Sequence, residues 1–356
     1  MMRTLPNITS LRFFLALLVM IFHIPQFFKN RGLPAYNELP VFNKGSEAVF
    51  MFFSLSGFLI IRQLFEEKTD SGSINLKNFY MRRILRIFPL YYLVAIVGLL
   101  YYNVLLPKIG FDFAINYNLW EGAVLLFTFF PNIFATYSPG GILEILWSIG
   151  VEEQFYLLIA PLILLMPQKN IRIFLLLFSF LFIGVYYFPE FDFFRKYNMM
   201  FFYFSFAGWC SLIAGRGFMF PGIIRSISYI LLLVYFTTDF FTNMMEGLPY
   251  HLFSMVLFGV FLISFTQKQI SFFENKKLIY LGKISYGIYM YHAIVMQPMG
   301  FIFLKLTAQY NISVPIVIVS SFLLIILITV FISHLSYKYY EKKFLTLKSK
   351  FRPASQ

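Results

Sequence analysis

Ten stretches long and apolar enough to cross a bilayer follow one another along the chain, at about 11–28, 46–65, 84–106, 146–166, 171–188, 199–214, 223–239, 250–266, 281–304 and 314–337. In hydrocarbon every backbone N–H and C=O must be bonded within its own segment, so this pattern predicts an all-α, polytopic membrane protein of about ten transmembrane helices. Composition agrees, with 59% hydrophobic, 21% aromatic and only 13% charged residues, a balance unlike that of soluble chains of this length. One cysteine, Cys210, offers neither a disulfide framework nor a cysteine metal site, so folding rests on helix packing.

The first apolar run is followed by Pro25, Gln26 and two aromatics instead of a small-residue cleavage site, and it is expected to stay as a signal anchor. An eleventh apolar stretch, 119–135, is short, ends in Pro131-Asn132 and precedes Ser138-Pro139-Gly140-Gly141. If it does not cross, one side collects Arg3, Arg12, Arg62, Lys68, Lys77, Arg82, Arg83, Arg86, Lys169, Arg172, Arg216, Arg225, Lys268, Lys276, Lys277, Lys283 and the basic tail, 22 of the 29 Lys and Arg. Letting it cross would invert every later loop and erase the asymmetry. The segment is therefore expected to be short or re-entrant, with both termini in the cytoplasm. The net charge of +13 follows from this bias and from contact with anionic lipid, and nucleic-acid binding is not indicated. No internal repeat is evident, and the chain divides into a membrane domain over 1–340 and a basic cytoplasmic tail over 341–356.

Inside this apolar frame the ionisable residues stand out. Arg12 and His23 are eleven residues apart, so eleven steps of about 100° bring them to one helix face, roughly 16 Å apart along the axis. An arginine at mid-span costs about 2.5–3.5 kcal/mol on insertion scales, which confines such groups to polar interiors, pathways or sites. With directions assigned, His23 and His292 fall about 18 and 16 Å from the cytoplasmic face, and Ser54 and Ser56 about 12–15 Å below the outer face. Glu152 falls about 9 Å below that outer face. An internal hydrophilic cavity is the economical explanation.

A compact cationic cluster lies on the cytoplasmic side in FYMRRILRIFPLYY, where Arg82, Arg83 and Arg86 fall within one helical turn. Arginine forks bind phosphate oxygens bidentately, so a phosphorylated ligand suits it, although juxtamembrane arginines are also ordinary orientation signals. Ser285, Tyr289 and His292, at i, i+4 and i+7, line one face of the ninth crossing, as a guide for a ligand arm or as an interhelical hydrogen-bond seam.

Five segments in order carry a resemblance: Arg12 with His23, SLSGF from Ser54 to Phe58, RRILRIFPLYY from Arg82 to Tyr92, WSIGVEEQFY from Trp147 to Tyr156, and GKISYGIYMYH from Gly282 to His292. Together they resemble the acyltransferase-3 family of integral membrane acyltransferases. The resemblance implies a ten-helix fold in the inner membrane of a bacterial cell, moving an acyl group, most often acetyl, from cytoplasmic acyl-coenzyme A to a hydroxyl of an envelope or lipid-linked glycan. No metal is implied. Some relatives carry a further hydrolase-like domain, which this sequence is not expected to contain.

In that setting His23 is a candidate general base, because a hydroxyl attacking a thioester must lose a proton; acyl relay through His23 is the alternative, and a bond to a neighbouring carbonyl the structural one. Arg12 holds the donor or orients the site by charge, or else snorkels to headgroups. Glu152 orients a histidine or binds sugar, while Glu153 points about 100° away toward solvent or another helix. The motif leaves open which carboxylate acts. Arg82, Arg83 and Arg86 are expected on the donor phosphates, with Ser285, Tyr289 and His292 along the acyl arm. Trp147 suits an interfacial anchor or a sugar platform, Ser54, Ser56 and Gly57 suit close packing or hydroxyl donors, and His251 and His334 look structural. A secondary transporter or glycan flippase is the alternative function, disfavoured by the lack of inverted repeats. A structural subunit of an envelope assembly is a third. The acceptor sugar and the oligomeric state are not legible.

Overall fold

The computed structural model describes residues 5–111, 113–215 and 217–351. Arg3 and Arg216, counted above on the basic side, and Arg352 of the tail lie outside the described residues. Among the described residues the fold is helical with no strand; ten apolar helices correspond to the ten stretches, eight of them long enough to cross a membrane and two, over 201–214 and 222–237, shorter. They are α1 (Ile8–Lys29), α2 (Gly45–Ser71), α3 (Leu76–Leu100), α4 (Trp147–Leu165), α5 (Ile171–Tyr187), α6 (Phe201–Ala214), α7 (Gly222–Thr237), α8 (Gly247–Gln267), α9 (Ser285–Gln309) and α10 (Val314–Ser336).

Several helices outrun their apolar stretches, because hydropathy stops at the first charges whereas the backbone stops where its hydrogen bonds do. At its far end α2 continues through Glu66, Glu67 and Lys68. The Lys68 ammonium there donates to the carbonyls of Ile163, Leu164 and Met166 at 2.9, 2.7 and 2.5 Å, satisfying the orphan acceptors at the C-terminus of α4. The start of α3 moves back to Leu76, where the Asn75 side chain accepts from the Asn78 N–H at 2.9 Å. The stretch 281–304 is corrected differently. The helix Lys276–Lys283 ends at Ile284 and α9 begins at Ser285, with the Ser285 hydroxyl donating to the Gly282 carbonyl at 2.9 Å. Gly282 lies directly against the Thr9 carbonyl of α1, leaving no room for a side chain.

The middle of the bundle is α6, only 14 residues long and buried on nearly every face. Gly57 of α2 sits on its backbone at Phe204, where any Cβ would strike the Phe204 carbonyl, so small-residue packing sets the closest helix approach. Around this centre α2 also meets α1, α4 and α8, while α1 packs on α9 and α9 on α10. The outward faces are apolar stripes at four-residue spacing. Ile173, Leu177 and Leu181 on α5 are 60, 63 and 69% exposed, and Val319, Leu323 and Leu327 on α10 are similarly bare. That surface is matched to lipid, not water.

The segment 119–135 does not form a crossing helix. Its helical part, Leu119–Phe127, is about 14 Å long against a core of about 30 Å, and the chain then turns at Phe129 (φ 62°) into the short helix Pro131–Phe134. Three motif residues hold it. Gln154 donates to the Phe129 carbonyl and to Asn132 Oδ1, both at 2.8 Å, and the hydroxyls of Tyr91 and Tyr92 donate to the Leu126 and Phe127 carbonyls at 2.9 and 3.1 Å.

Candidate functional site

A cavity of about 340 Å³ runs between α1, α2, α3, α4 and α9. It opens into a wider vestibule of about 2340 Å³ at the end of the bundle that carries the arginine cluster. Arg12, Arg83 and Arg86 line both spaces. Their convergence follows from the helix contacts: Arg12 is one turn into α1, Arg83 and Arg86 are two and three turns into α3, and the starts of α1, α3 and α9 meet at this end. Among the described residues none of the three has a carboxylate within 4 Å. The Arg83 Nε is buried without a hydrogen-bond partner, leaving donor capacity that an anion would satisfy.

Arg82 differs. Its guanidinium pairs with Glu67 at 2.9 Å, both side chains buried, and donates to the Phe351 carbonyl at 2.7 Å, so its fork is taken up by the protein itself. Within one turn of helix, Arg82 is thus bonded to the protein while its neighbour Arg83 and Arg86 line the cavity.

The rest of the lining mixes apolar side chains, among them Phe52, Phe53, Ile60 and Ile87, with the polar Ser56, Ser148, Glu152 and Tyr289. Glu152 accepts from the Ser56 hydroxyl at 2.6 Å and from the Tyr156 hydroxyl. Arg12 and Arg86 both lie within its electrostatic reach. Among the described residues no hydrogen bond joins it to His23 or His292. Glu153 faces the protein interior, 7% exposed, with Oε1 unpartnered. Trp147 packs edge-on against Phe53 at 5.8 Å, and the buried Ser54 hydroxyl has no partner.

Tyr289 closes the inner end of the cavity. Its hydroxyl donates to the Ile145 carbonyl at 2.8 Å and meets Ser148 Oγ at 2.7 Å. Its own carbonyl lies 2.5 Å from His292 Nδ1, and His292 Nε2 lies 3.2 Å from His23 Nδ1, the two rings stacked with centroids 5.1 Å apart. A carbonyl only accepts, so His292 Nδ1 carries a proton; in neutral imidazoles His292 Nε2 then accepts from His23 Nδ1–H. That assignment leaves the lone pair of His23 free on Nε2. His292 is fully buried and His23 partly exposed, and neither lines the cavity.

Of the two residues spaced along α1, Arg12 lines the cavity and His23 does not, lying beside His292 next to Tyr289. Of the α9 stripe, Ser285 and Tyr289 line the cavity and His292 does not, because it turns to α1. Its pairing with His23 spans 269 residues, which no local pattern reveals. Gln154 and Tyr286, the latter donating to the Ile87 carbonyl at 3.0 Å, are site supports that sequence reasoning missed, although both fall inside quoted motifs. His251 and His334 are bonded to the hydroxyls of Tyr203 and Tyr280 at 2.8 and 2.6 Å, away from the cavity lining.

A family model described as an acyltransferase domain matches residues 5–334. The chain is 27% identical, over 96% of its length, to a protein of Staphylococcus aureus strain COL named as an O-acetyltransferase, and it spans 58% of that relative's length. It is also 27% identical, over 70% of its own length and 44% of the relative's, to the peptidoglycan O-acetyltransferase OatA of Listeria monocytogenes. A protein of Acidianus two-tailed virus named as an acetyltransferase is 27% identical over 83% of this chain and 84% of its own. No solved structure matches the chain.

Proposed function

The chain belongs to the acyltransferase-3 family, and from that premise we propose that it is a membrane-embedded O-acyltransferase taking an acyl group, acetyl first among them, from cytoplasmic acyl-coenzyme A to a hydroxyl of an envelope or lipid-linked glycan. The observation that carries the proposal is the His23–His292 pair, in contact at 3.2 Å next to Tyr289, which lines a cation-lined cavity. A base with a free lone pair beside the end of a channel built for an anionic head is what thioester transfer across a lipid barrier requires.

The residues present fit such a donor. Arg12, Arg83 and Arg86 suit its phosphates. Apolar lining at Phe52, Ile60 and Ile87 suits an uncharged arm, and Ser148 and Tyr289 add hydroxyls to the same cavity. The acceptor hydroxyl loses its proton to His23 Nε2 as its oxygen bonds to the thioester carbon. The carbon–sulfur bond then breaks, and the proton on His23 passes to the leaving sulfur, so an ester and a free thiol result with no net change in protons. His292 holds His23 in the productive tautomer, as a carboxylate does for other catalytic histidines. Glu152 balances Arg12 and Arg86 and fixes Ser56. The head of the donor stays on the basic side and only its acyl end reaches mid-membrane, which avoids carrying phosphates through hydrocarbon.

The test is transfer of radiolabelled acetyl from acetyl-coenzyme A into envelope glycan or lipid-linked sugar by membranes containing the native chain or His23→Ala. Label incorporated by the native chain and reduced at least 10²-fold in a well-folded variant is expected, since general bases contribute about 10²–10⁴-fold. Normal turnover by the variant removes His23 from the reaction. Absence of labelling with acetyl, succinyl and longer donors favours the transporter alternative.

A further inference from the structure

The vestibule is walled on one side by the segment that follows α10. After Ser336 the chain widens into a π-helical turn at Tyr337–Glu341 and continues through Lys342–Leu347 and Lys348–Phe351. This tail is tied twice to α3, the helix that carries Arg83 and Arg86. The Arg82 guanidinium donates to the Phe351 carbonyl at 2.7 Å, and the Tyr340 hydroxyl donates to the Pro89 carbonyl at 3.0 Å. Arg82, also paired with Glu67 at 2.9 Å, therefore works as a bracket between α2, α3 and the tail.

The bracket has an electrostatic consequence. It brings Lys348 onto the vestibule wall, partly buried and within the field of Arg12, Arg82, Arg83 and Arg86. Among the described residues Lys348 has no carboxylate within 4 Å. The carboxylates of the vestibule are mostly spoken for: Glu66 pairs with Arg62, Glu67 with Arg82, and Glu341 accepts from the Ser336 hydroxyl at 3.0 Å, leaving Asp70. Among the described residues four cations, Lys348 with Arg12, Arg83 and Arg86, have no carboxylate within 4 Å; Glu152 offsets part of the charge on Arg12 and Arg86, the cations still repel one another, and the unpartnered Arg83 Nε adds an unfilled donor. Such a cluster is favourable when a multiply charged anion sits among its members.

We propose that Lys348 is a donor-binding residue, holding a phosphate of the coenzyme A donor from the tail side, so that the tail completes a site otherwise built from α1 and α3. This rests on the donor proposed above. It assigns the tail a role in substrate recognition, in addition to any contact with lipid headgroups.

The test uses the purified full chain and coenzyme A itself, with affinity measured directly for the native protein, Lys348→Ala, Lys348→Arg and Lys350→Ala. Lys350 is exposed and off the vestibule wall, so it reports general tail charge. Lys348→Ala is expected to weaken binding about tenfold, the loss of one charge-assisted contact, with Lys348→Arg restoring most of it and Lys350→Ala within twofold of native. In the acetyl-transfer assay the same substitution raises KM for acetyl-coenzyme A and leaves kcat within twofold. Equal affinity of the native protein and Lys348→Ala overturns the inference, as does an equal loss in Lys350→Ala. Failure of the native chain to bind coenzyme A at all overturns the donor assignment itself, and this inference with it.

Discussion

At the scale of the residue, the proposed chemistry turns on which nitrogen of each histidine carries a proton. The Tyr289 carbonyl fixes His292, His292 fixes His23, and the chain of bonds ends on a free lone pair. Removing His292 leaves His23 able to adopt the wrong tautomer without removing the base. His292→Ala is therefore expected to lower kcat about 10²-fold while KM for acetyl-coenzyme A stays within twofold, measured by steady-state transfer in membranes. A change confined to KM would place His292 in donor binding instead. His23 was legible from its spacing to Arg12 on one helix. The selection among the three motif arginines was not, because Arg82, Arg83 and Arg86 look alike until Glu67 and Phe351 claim one of them.

At the scale of the element, many motif residues are fasteners between helices. Gly57 permits the α2–α6 contact, and Gln154 with Tyr91 and Tyr92 pins the broken segment 119–135. Replacing Gly57 by leucine overpacks that contact. A loss of about 1–3 kcal/mol is expected, seen as a lower Tm of the detergent-purified chain, whereas an unchanged Tm would mean that α2 and α6 are not in backbone contact. Gln154→Leu removes its hydrogen bonds to Phe129 and Asn132 of the segment, and faster hydrogen exchange is expected at the amides of 129–137 with α4 still protected. The existence of all ten apolar helices was readable because hydropathy is local, but not that two of them, α6 and α7, fall short of spanning length. The break at Ile284 was not, since Gly282 is demanded by the Thr9 carbonyl of a helix far away in sequence.

At the scale of the molecule, charge decides orientation. Lys77 and Lys268 are exposed at the basic end, Lys108 and Lys305 at the other. With Cys210, the only cysteine and buried, replaced by alanine, single cysteines at these positions are expected to divide cleanly. An impermeant maleimide added to intact cells should label positions 108 and 305 and spare 77 and 268 until the membrane is opened. The reverse pattern would put the arginine vestibule outside and exclude a cytoplasmic donor.

The sequence by itself determined the helical class, the order of the apolar helices, the basic asymmetry and the presence of ionisable groups within apolar helices. Those properties follow from the cost of moving backbone and charge into hydrocarbon, and that cost is written residue by residue. Only the tertiary structure decided that His23 meets His292, that Arg82 braces the tail while Arg83 and Arg86 face the cavity, and that Lys348 closes the vestibule. These are contacts between helices hundreds of residues apart, set by how small residues such as Gly57 and Gly282 let backbones approach, and no periodicity within one helix encodes its partner.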